Sequence, residues 1–243
     1  RIHPQYNLHG TSSFRITGDS PNLTQLPNAK HGYNIRTLFT VDEGYAFLTA
    51  DFSSAEIKIL GAISQDPGIL QSIKDGLDFH SFAASRIHNI PYADFVAVLD
   101  AGKSHPLFKK YKGFRQGAKA VGFGILYGST AAGVAYGLGI TSAEAQELID
   151  LYFRLFPKLK DYIEFTHKMA VDNKAIITPF GRRKMQYGLL NCFAKTAVWN
   201  AAKRNAQNCM IQSSTSDVGL FAFMSVNEKI KLLGGKTLCT VYD

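Results

Sequence analysis

Asp51 and Asp243 each follow a short apolar run, Tyr45–Ala50 in one case and Lys236–Tyr242 in the other. A β-strand is stiff and its neighbour lies about 4.8 Å away, so two strand-end carboxylates can share a pair of hard divalent cations. Phosphoryl transfer with two metal ions about 4 Å apart uses that arrangement. Asp is also a common turn residue, so neither position alone separates a metal ligand from a turn.

Arg115, Lys119, Phe123 and Tyr127 recur at steps of four. Each such step on an α-helix returns to within about 40° of the last, so the four share one stripe. Two cations followed by two aromatics make a poor core face, because both charges would be buried without partners. The same order suits a nucleotide, with Arg and Lys on phosphates, Phe under sugar or base and Tyr at the base-pair end. An amphipathic helix with solvated basic residues is the other reading of this stripe. Arg204, Asn208 and Gln212 repeat the spacing and present donors and acceptors fit for a minor groove or a sugar–phosphate track, or for solvent. Arg15, Asn22, Gln25 and Arg36 add further polar groups near the start of the chain, and His80 could reach a phosphate or cap a loop.

These residues need elements to hold them. Residues 1–40 are rich in turn formers and read as an ordered, loop-rich entry. Tyr45–Ala50 reads as a buried strand ending at Asp51. Helices are expected over 53–64, 69–74, 80–87 and 114–127, the last despite Gly117, Gly122 and Gly124. Thr141 with Glu144 forms a capping-box pattern opening a helix through Phe153, and Pro157 suits the first turn of the next, to about Asn173. Ala175–Thr178 reads as a strand before a Pro-Phe-Gly turn. A long helix follows from about Phe193 to Asn208, continuing past an irregularity near Gln212 to Lys231, and Lys236–Tyr242 reads as a last strand.

Composition sets the outer bounds. Of 243 residues, 46% are hydrophobic and 19% charged, ordinary values for a folded domain. Lys and Arg number 27 against 19 acidic residues, and the net charge of +8 favours a polyanionic partner, nucleic acid first. Cys192, Cys209 and Cys239 lack metal-ligand spacing and read as reduced side chains. Arg1–Gly10 has no apolar signal-peptide core, and no apolar run approaches the roughly 18 residues of a membrane span. A cytoplasmic chain is expected.

Taken together, the motifs resemble those of family A DNA polymerases of bacteria and phages. Asp51-Phe-Ser-Ser-Ala-Glu56-Ile-Lys58 is similar to their motif A. Arg115-x3-Lys119-x3-Phe123-Gly-x2-Tyr127-Gly128 is similar to motif B, and Thr240-Val-Tyr-Asp243 to motif C, broken off at its aspartate. Lesser matches are Phe14-Arg15-Ile, Pro21-Asn22-Leu-Thr-Gln25-Leu-Pro27, Phe79-His80-Ser, Phe180-Gly-Arg-Arg183 and Arg204-Asn-Ala-x-Asn208-x3-Gln212. The resemblance implies an α+β fold, a polymerase palm with an antiparallel sheet plus helical fingers. It places residues 1–58 and 192–243 in the palm and 59–191 in the fingers. It also implies that two Mg²⁺ ions are held by Asp51, Asp243 and the Phe52 carbonyl, and that Arg115, Lys119 and His80 neutralise the triphosphate. Phe123 and Tyr127 would pack around the incoming nucleotide, with Glu56 where a ribose 2′-hydroxyl must go. Arg15, Asn22, Gln25, Arg36, Arg204, Asn208 and Gln212 would grip primer and template. The implied reaction is attack of a primer 3′-hydroxyl on the α-phosphate of a dNTP.

Two positions depart from the family pattern: Lys58 stands where Arg is usual, and Tyr242 where His precedes the motif C aspartate. Because the sequence stops at Asp243, a completing C-terminal polymerase segment is an expected partner, and a catalytically incomplete DNA-binding fragment is the alternative. A single-subunit RNA polymerase shares parts of motif B, but Glu56 and Phe123 speak against room for a 2′-hydroxyl.

Overall fold

A computed structural model of the chain describes residues 2–8, 10–11, 13–26, 35–190 and 193–238. The chain divides into two compact units, Arg1–Ala55 with Gln212–Asp243, and Glu56–Ile211. In the smaller unit, strands β1 (Gln5–Asn7) and β2 (Thr17–Asp19) pair antiparallel, with Tyr6 opposite Gly18. Asn22 then starts a 3₁₀ turn at Leu23–Gln25, its side-chain oxygen accepting from the Thr24 N–H at 3.0 Å. The Ser216 hydroxyl donates to the Phe14 carbonyl at 3.1 Å and ties this entry segment to the helix that carries Ser216.

The larger unit is helical: α1 (Ala55–Ser64), α2 (Pro67–Lys74), α3 (Phe79–Ile87), α4 (Tyr92–Asp100), α5 (Phe108–Leu126), α6 (Ala131–Leu138), α7 (Ser142–Leu155) and α8 (Lys158–Asn173). A hairpin of β3 (Ala175–Ile177) and β4 (Arg183–Met185) follows, then the single turn α9 (Tyr187–Leu190). The last helix, α10 (Ala197–Leu232), runs through both units. The fold is therefore mostly helical with two small antiparallel sheets among the described residues. Phe95, Ile69, Val121, Tyr152, Phe156 and Leu159 are fully buried and form the core of the larger unit.

Caps explain why the helices start where they do. Thr141 and Glu144 make the reciprocal capping box that their spacing announces, with the Thr141 N–H donating to Glu144 Oε2 at 2.8 Å. Asp66 does more than cap one helix. Its Oδ1 accepts from the N–H groups of Gly68 and Ile69 at the start of α2, and its Oδ2 accepts from the Lys158 N–H at the start of α8. The carboxylate is fully buried, so two helix N-termini and their orphan donors depend on one side chain.

Several expectations are corrected. Tyr45–Ala50 is neither a strand nor buried: it has no regular structure, and Leu48 is 81% exposed. An apolar run becomes a strand only where a neighbour takes its hydrogen bonds, and no described strand pairs with it. Lys236–Leu238 likewise shows no strand, and the rest of that expected strand, with Asp243, lies outside the described residues. Among the described residues of 1–58 and 192–243, the strands are therefore limited to the β1–β2 pair. No irregularity interrupts α10 near Gln212. Helices α4 and α6 escape a periodicity reading, since α4 is rich in β-branched and small residues and α6 contains Gly133 and Gly137; burial of Phe95 and Val98, and of Val134 and Ala135, holds them instead. No described helix is long and apolar enough to cross a membrane.

Replacing Asp66 by alanine is expected to lower the unfolding free energy by about 2–4 kcal/mol, a lost cap plus stranded amides. Urea denaturation measures this, and a change under about 0.5 kcal/mol, the size of a neutral surface substitution, would show that the two helix starts are held by something else.

Candidate functional site

Helix α5 carries the cation–aromatic stripe, and its glycines explain how it can. A Cβ on Gly122 would overlap the Tyr152 hydroxyl, and one on Gly124 would sit 2.9 Å from a Val134 methyl. The helix interior thus trades propensity for close packing against α7 and α6. The buried residues of α5 are Ala118, Val121, Gly122, Ile125 and Leu126, which leaves Arg115 and Phe123 half-buried and Lys119 and Tyr127 exposed. Phe123 and Tyr127 stack with centroids 5.8 Å apart at 22°, and the Lys119 ammonium lies 5.7 Å over the Phe123 ring.

Helix α3 brings a second set of groups to the stripe. The His80 ring lies 5.5 Å from Phe123 and is almost entirely buried. Its Nδ1 has no hydrogen-bond partner among the described residues. Burial, with help from the Arg115 and Lys119 charges, pushes the imidazole down to about 4 against the pull of Asp78, so His80 is neutral at pH 7. Asp78, the N-cap of α3, accepts from Arg115 Nε at 2.8 Å and Nη2 at 3.0 Å, and from the Ser81 N–H at 2.9 Å. Burial opposes ionisation of Asp78, but these donors outweigh it and hold the carboxyl at about 2. The same hydrogen bond raises the Arg115 guanidinium further above its ordinary range.

The far end of the stripe is closed by α1 and α10. The Tyr127 hydroxyl donates to Glu56 Oε2 at 3.3 Å. Gly128 has φ +69°, and any side chain there would collide with the Arg204 side chain, which packs over it. Gln207, fully buried on α10, donates through Nε2 to the Ile125 and Leu126 carbonyls, the latter at 3.2 Å, and so satisfies the open end of α5. Its own backbone carbonyl accepts from the Tyr162 hydroxyl at 2.8 Å.

The larger unit therefore gathers Glu56, His80, Arg115, Lys119, Phe123, Tyr127 and Arg204 around α5. Asn208 lies one turn beyond Arg204 on α10. Arg15, Asn22, Gln25, Arg36, Asp51, Phe52 and Gln212 belong to the smaller unit. There Asn22 is engaged as a turn cap, Arg36 donates to the Leu26 carbonyl at 3.3 Å, and Asp51 and Phe52 are exposed. Asp243 lies outside the described residues, among which no three His, Cys, Asp or Glu side chains cluster. Sequence reasoning did not single out Asp78 or Gln207. Asp78 carries a local signal, an Asp placed to cap the N–H three residues on; Gln207 has none, because its partners lie 81 and 82 residues away.

His80 has a testable consequence. Its folded-state pKa is depressed, so its contribution to stability is complete above the ordinary histidine range near 6.5 and is lost as pH falls toward about 4. The unfolding free energy is expected to fall through that window, and His80→Phe should flatten the slope by roughly one proton's worth. Equal slopes in both proteins, measured by urea denaturation at a series of pH values, would refute it.

The family model for DNA polymerase family A matches residues 1–243. The chain is 31% identical over 246 residues to DNA polymerase I of Caldicellulosiruptor bescii, covering all of this chain and 27% of that protein. It is 32% identical to DNA polymerase I of Chloroflexus aurantiacus, covering 24% of it. It thus spans about a quarter of the length of these relatives. Among solved structures, the POL domain of Pol1 from M. smegmatis, in complex with DNA primer-template and dNTP, superposes with a TM-score of 0.81 at 33% identity, covering 96% of this chain and 39% of that one. The chain belongs to DNA polymerase family A.

Proposed function

We propose that this chain carries the nucleotide site and part of the primer–template grip of a DNA-directed DNA polymerase, a nucleotidyltransferase that adds dNTPs to a primer 3′-hydroxyl. The observation that carries the reading is the α5 stripe, Arg115 and Lys119 followed by stacked Phe123 and Tyr127, with neutral His80 and Glu56 converging on it. Arg115 and Lys119 bind the triphosphate by charge-assisted hydrogen bonds, and His80 offers a neutral imidazole nitrogen beside them. Phe123 and Tyr127 supply flat faces for sugar and base. Glu56, tied to Tyr127, fills the space a ribose 2′-hydroxyl would need, which favours deoxynucleotides and disfavours the RNA polymerase reading. Arg15, Asn22, Gln25, Arg36, Arg204, Asn208 and Gln212 hold primer and template, in keeping with the DNA primer-template named for the M. smegmatis neighbour.

In this reading residues 1–58 and 192–243 are palm and 59–191 fingers. Asp51, Asp243 and the Phe52 carbonyl are hard oxygen donors of the kind Mg²⁺ takes, and Asp51 and Phe52 are exposed and so accessible to ions. Two bound ions would lower the pKa of the primer hydroxyl and neutralise charge on the leaving pyrophosphate. The chain's own part is to orient the triphosphate along α5, stack the base and shield the sugar. A completing C-terminal polymerase segment is a further proposed partner.

Primer extension with Mg²⁺ and dNTPs tests the function. Residues 1–243 alone are expected to extend poorly or not at all, extension should appear when the remaining polymerase segment is supplied, and Asp51→Ala should abolish it. Robust synthesis by the Asp51→Ala protein would sink the assignment. In the completed enzyme, Phe123 should exclude dideoxynucleotides and Phe123→Tyr should relax that exclusion, since a hydroxyl at the ring edge can replace the missing 3′-hydroxyl; equal dideoxynucleotide use by both forms would count against Phe123 at the sugar.

A further inference from the structure

Asp78 bonds one edge of the Arg115 guanidinium, at Nε and Nη2. Of the five N–H donors in that plane, three remain, two on Nη1 and one on Nη2. A planar fork held along one edge cannot swivel, so the remaining donors point in fixed directions. Asp78 is itself held from several sides. It caps α3 through the Ser81 N–H, and its own N–H donates to the Tyr92 hydroxyl at 3.0 Å. The carboxylate stays ionised across the neutral range, and Lys119 and the buried His80 ring lie close to the pair.

We propose that Asp78 is a positioning residue for the nucleotide: it does not touch the triphosphate but sets the guanidinium of Arg115 so that its free donors meet the phosphates already oriented. The inference rests on the nucleotide reading above and goes beyond it, because it assigns a carboxylate to a site that must attract polyanions. A negative charge there also weakens the site's attraction for phosphate. The side chains of Arg115 and Asp78 are 30% and 38% exposed, so solvent screens that loss while the geometric constraint is undiminished. Orientation wins on this account, and removing the carboxylate should loosen nucleotide binding rather than tighten it.

The test is titration calorimetry of dATP with Mg²⁺ against the 243-residue chain. Asp78→Asn keeps a good cap for α3 and removes the charged bidentate acceptor. It should weaken dATP binding about tenfold, the loss of one charge-assisted, pre-oriented contact. The melting temperature should move by less than about 2 °C. Asp78→Ser, which also retains a capping oxygen, should show the same loss. In an Arg115→Lys background, where no fork remains to be oriented, Asp78→Asn should change affinity less than about twofold. A purely structural role for Asp78 would instead give the same loss in both backgrounds, and that result overturns the proposal. Unchanged or tighter dATP binding by both Asp78 variants, with the unsubstituted chain binding normally, overturns this inference alone. No dATP binding by the unsubstituted chain overturns the nucleotide reading and this inference with it.

Discussion

The ion pair between Asp78 and Arg115 joins two helices whose residues lie 37 positions apart, and the chemistry of the larger unit is arranged around it. The pair places the start of α3 against the stripe of α5. That contact buries His80 beside Phe123 and keeps its ring neutral. A charged Arg on a half-buried face would otherwise be a cost, and the carboxylate removes that cost while leaving donors unspent. The same side chain caps α3, so the helix that presents His80 and the cation that faces it share one anchor.

Packing behind α5 is the complementary constraint. Gly122 admits the Tyr152 hydroxyl and Gly124 admits Val134, so α7 and α6 pack closely against α5. Gln207 closes the last turn from α10 by donating to the Ile125 and Leu126 carbonyls, the first of which also accepts from the Gly128 N–H at 3.0 Å. Just beyond, Gly128 takes a left-handed conformation under the Arg204 side chain. Backbone geometry, rather than side-chain chemistry, thus brings a candidate DNA contact to the aromatic end of the stripe.

Much of this was legible beforehand. The steps of four from Arg115 to Tyr127 imply a shared helix face, and α5 carries Arg115, Lys119 and Phe123 in that way, with Tyr127 as its C-cap. The Thr141–Glu144 pattern marked a helix start that the structure forms as a capping box. Local signals failed where stability is not local. The apolar run Tyr45–Ala50 reads as buried, yet it is exposed and unpaired among the described strands. Helix α6 contains two glycines and persists because Val134 and Ala135 are buried. The metal-binding expectation for Asp51 and Asp243 was drawn from strands that are not seen among the described residues, so it stands on family membership rather than on geometry.

The sequence by itself determined the order and spacing of the motifs, the helical stripe and the family, because these depend on residues a few positions apart and on a 3.6-residue period. Only the tertiary structure decided that Arg115 is held by Asp78, that Gln207 rather than its neighbours at the motif positions closes α5, and that His80 is buried and neutral. Those outcomes depend on groups from 37 to 82 residues apart meeting at hydrogen-bond or van der Waals distance. No local period encodes such meetings; they follow from how the helices pack, which is settled by the shape of the whole core.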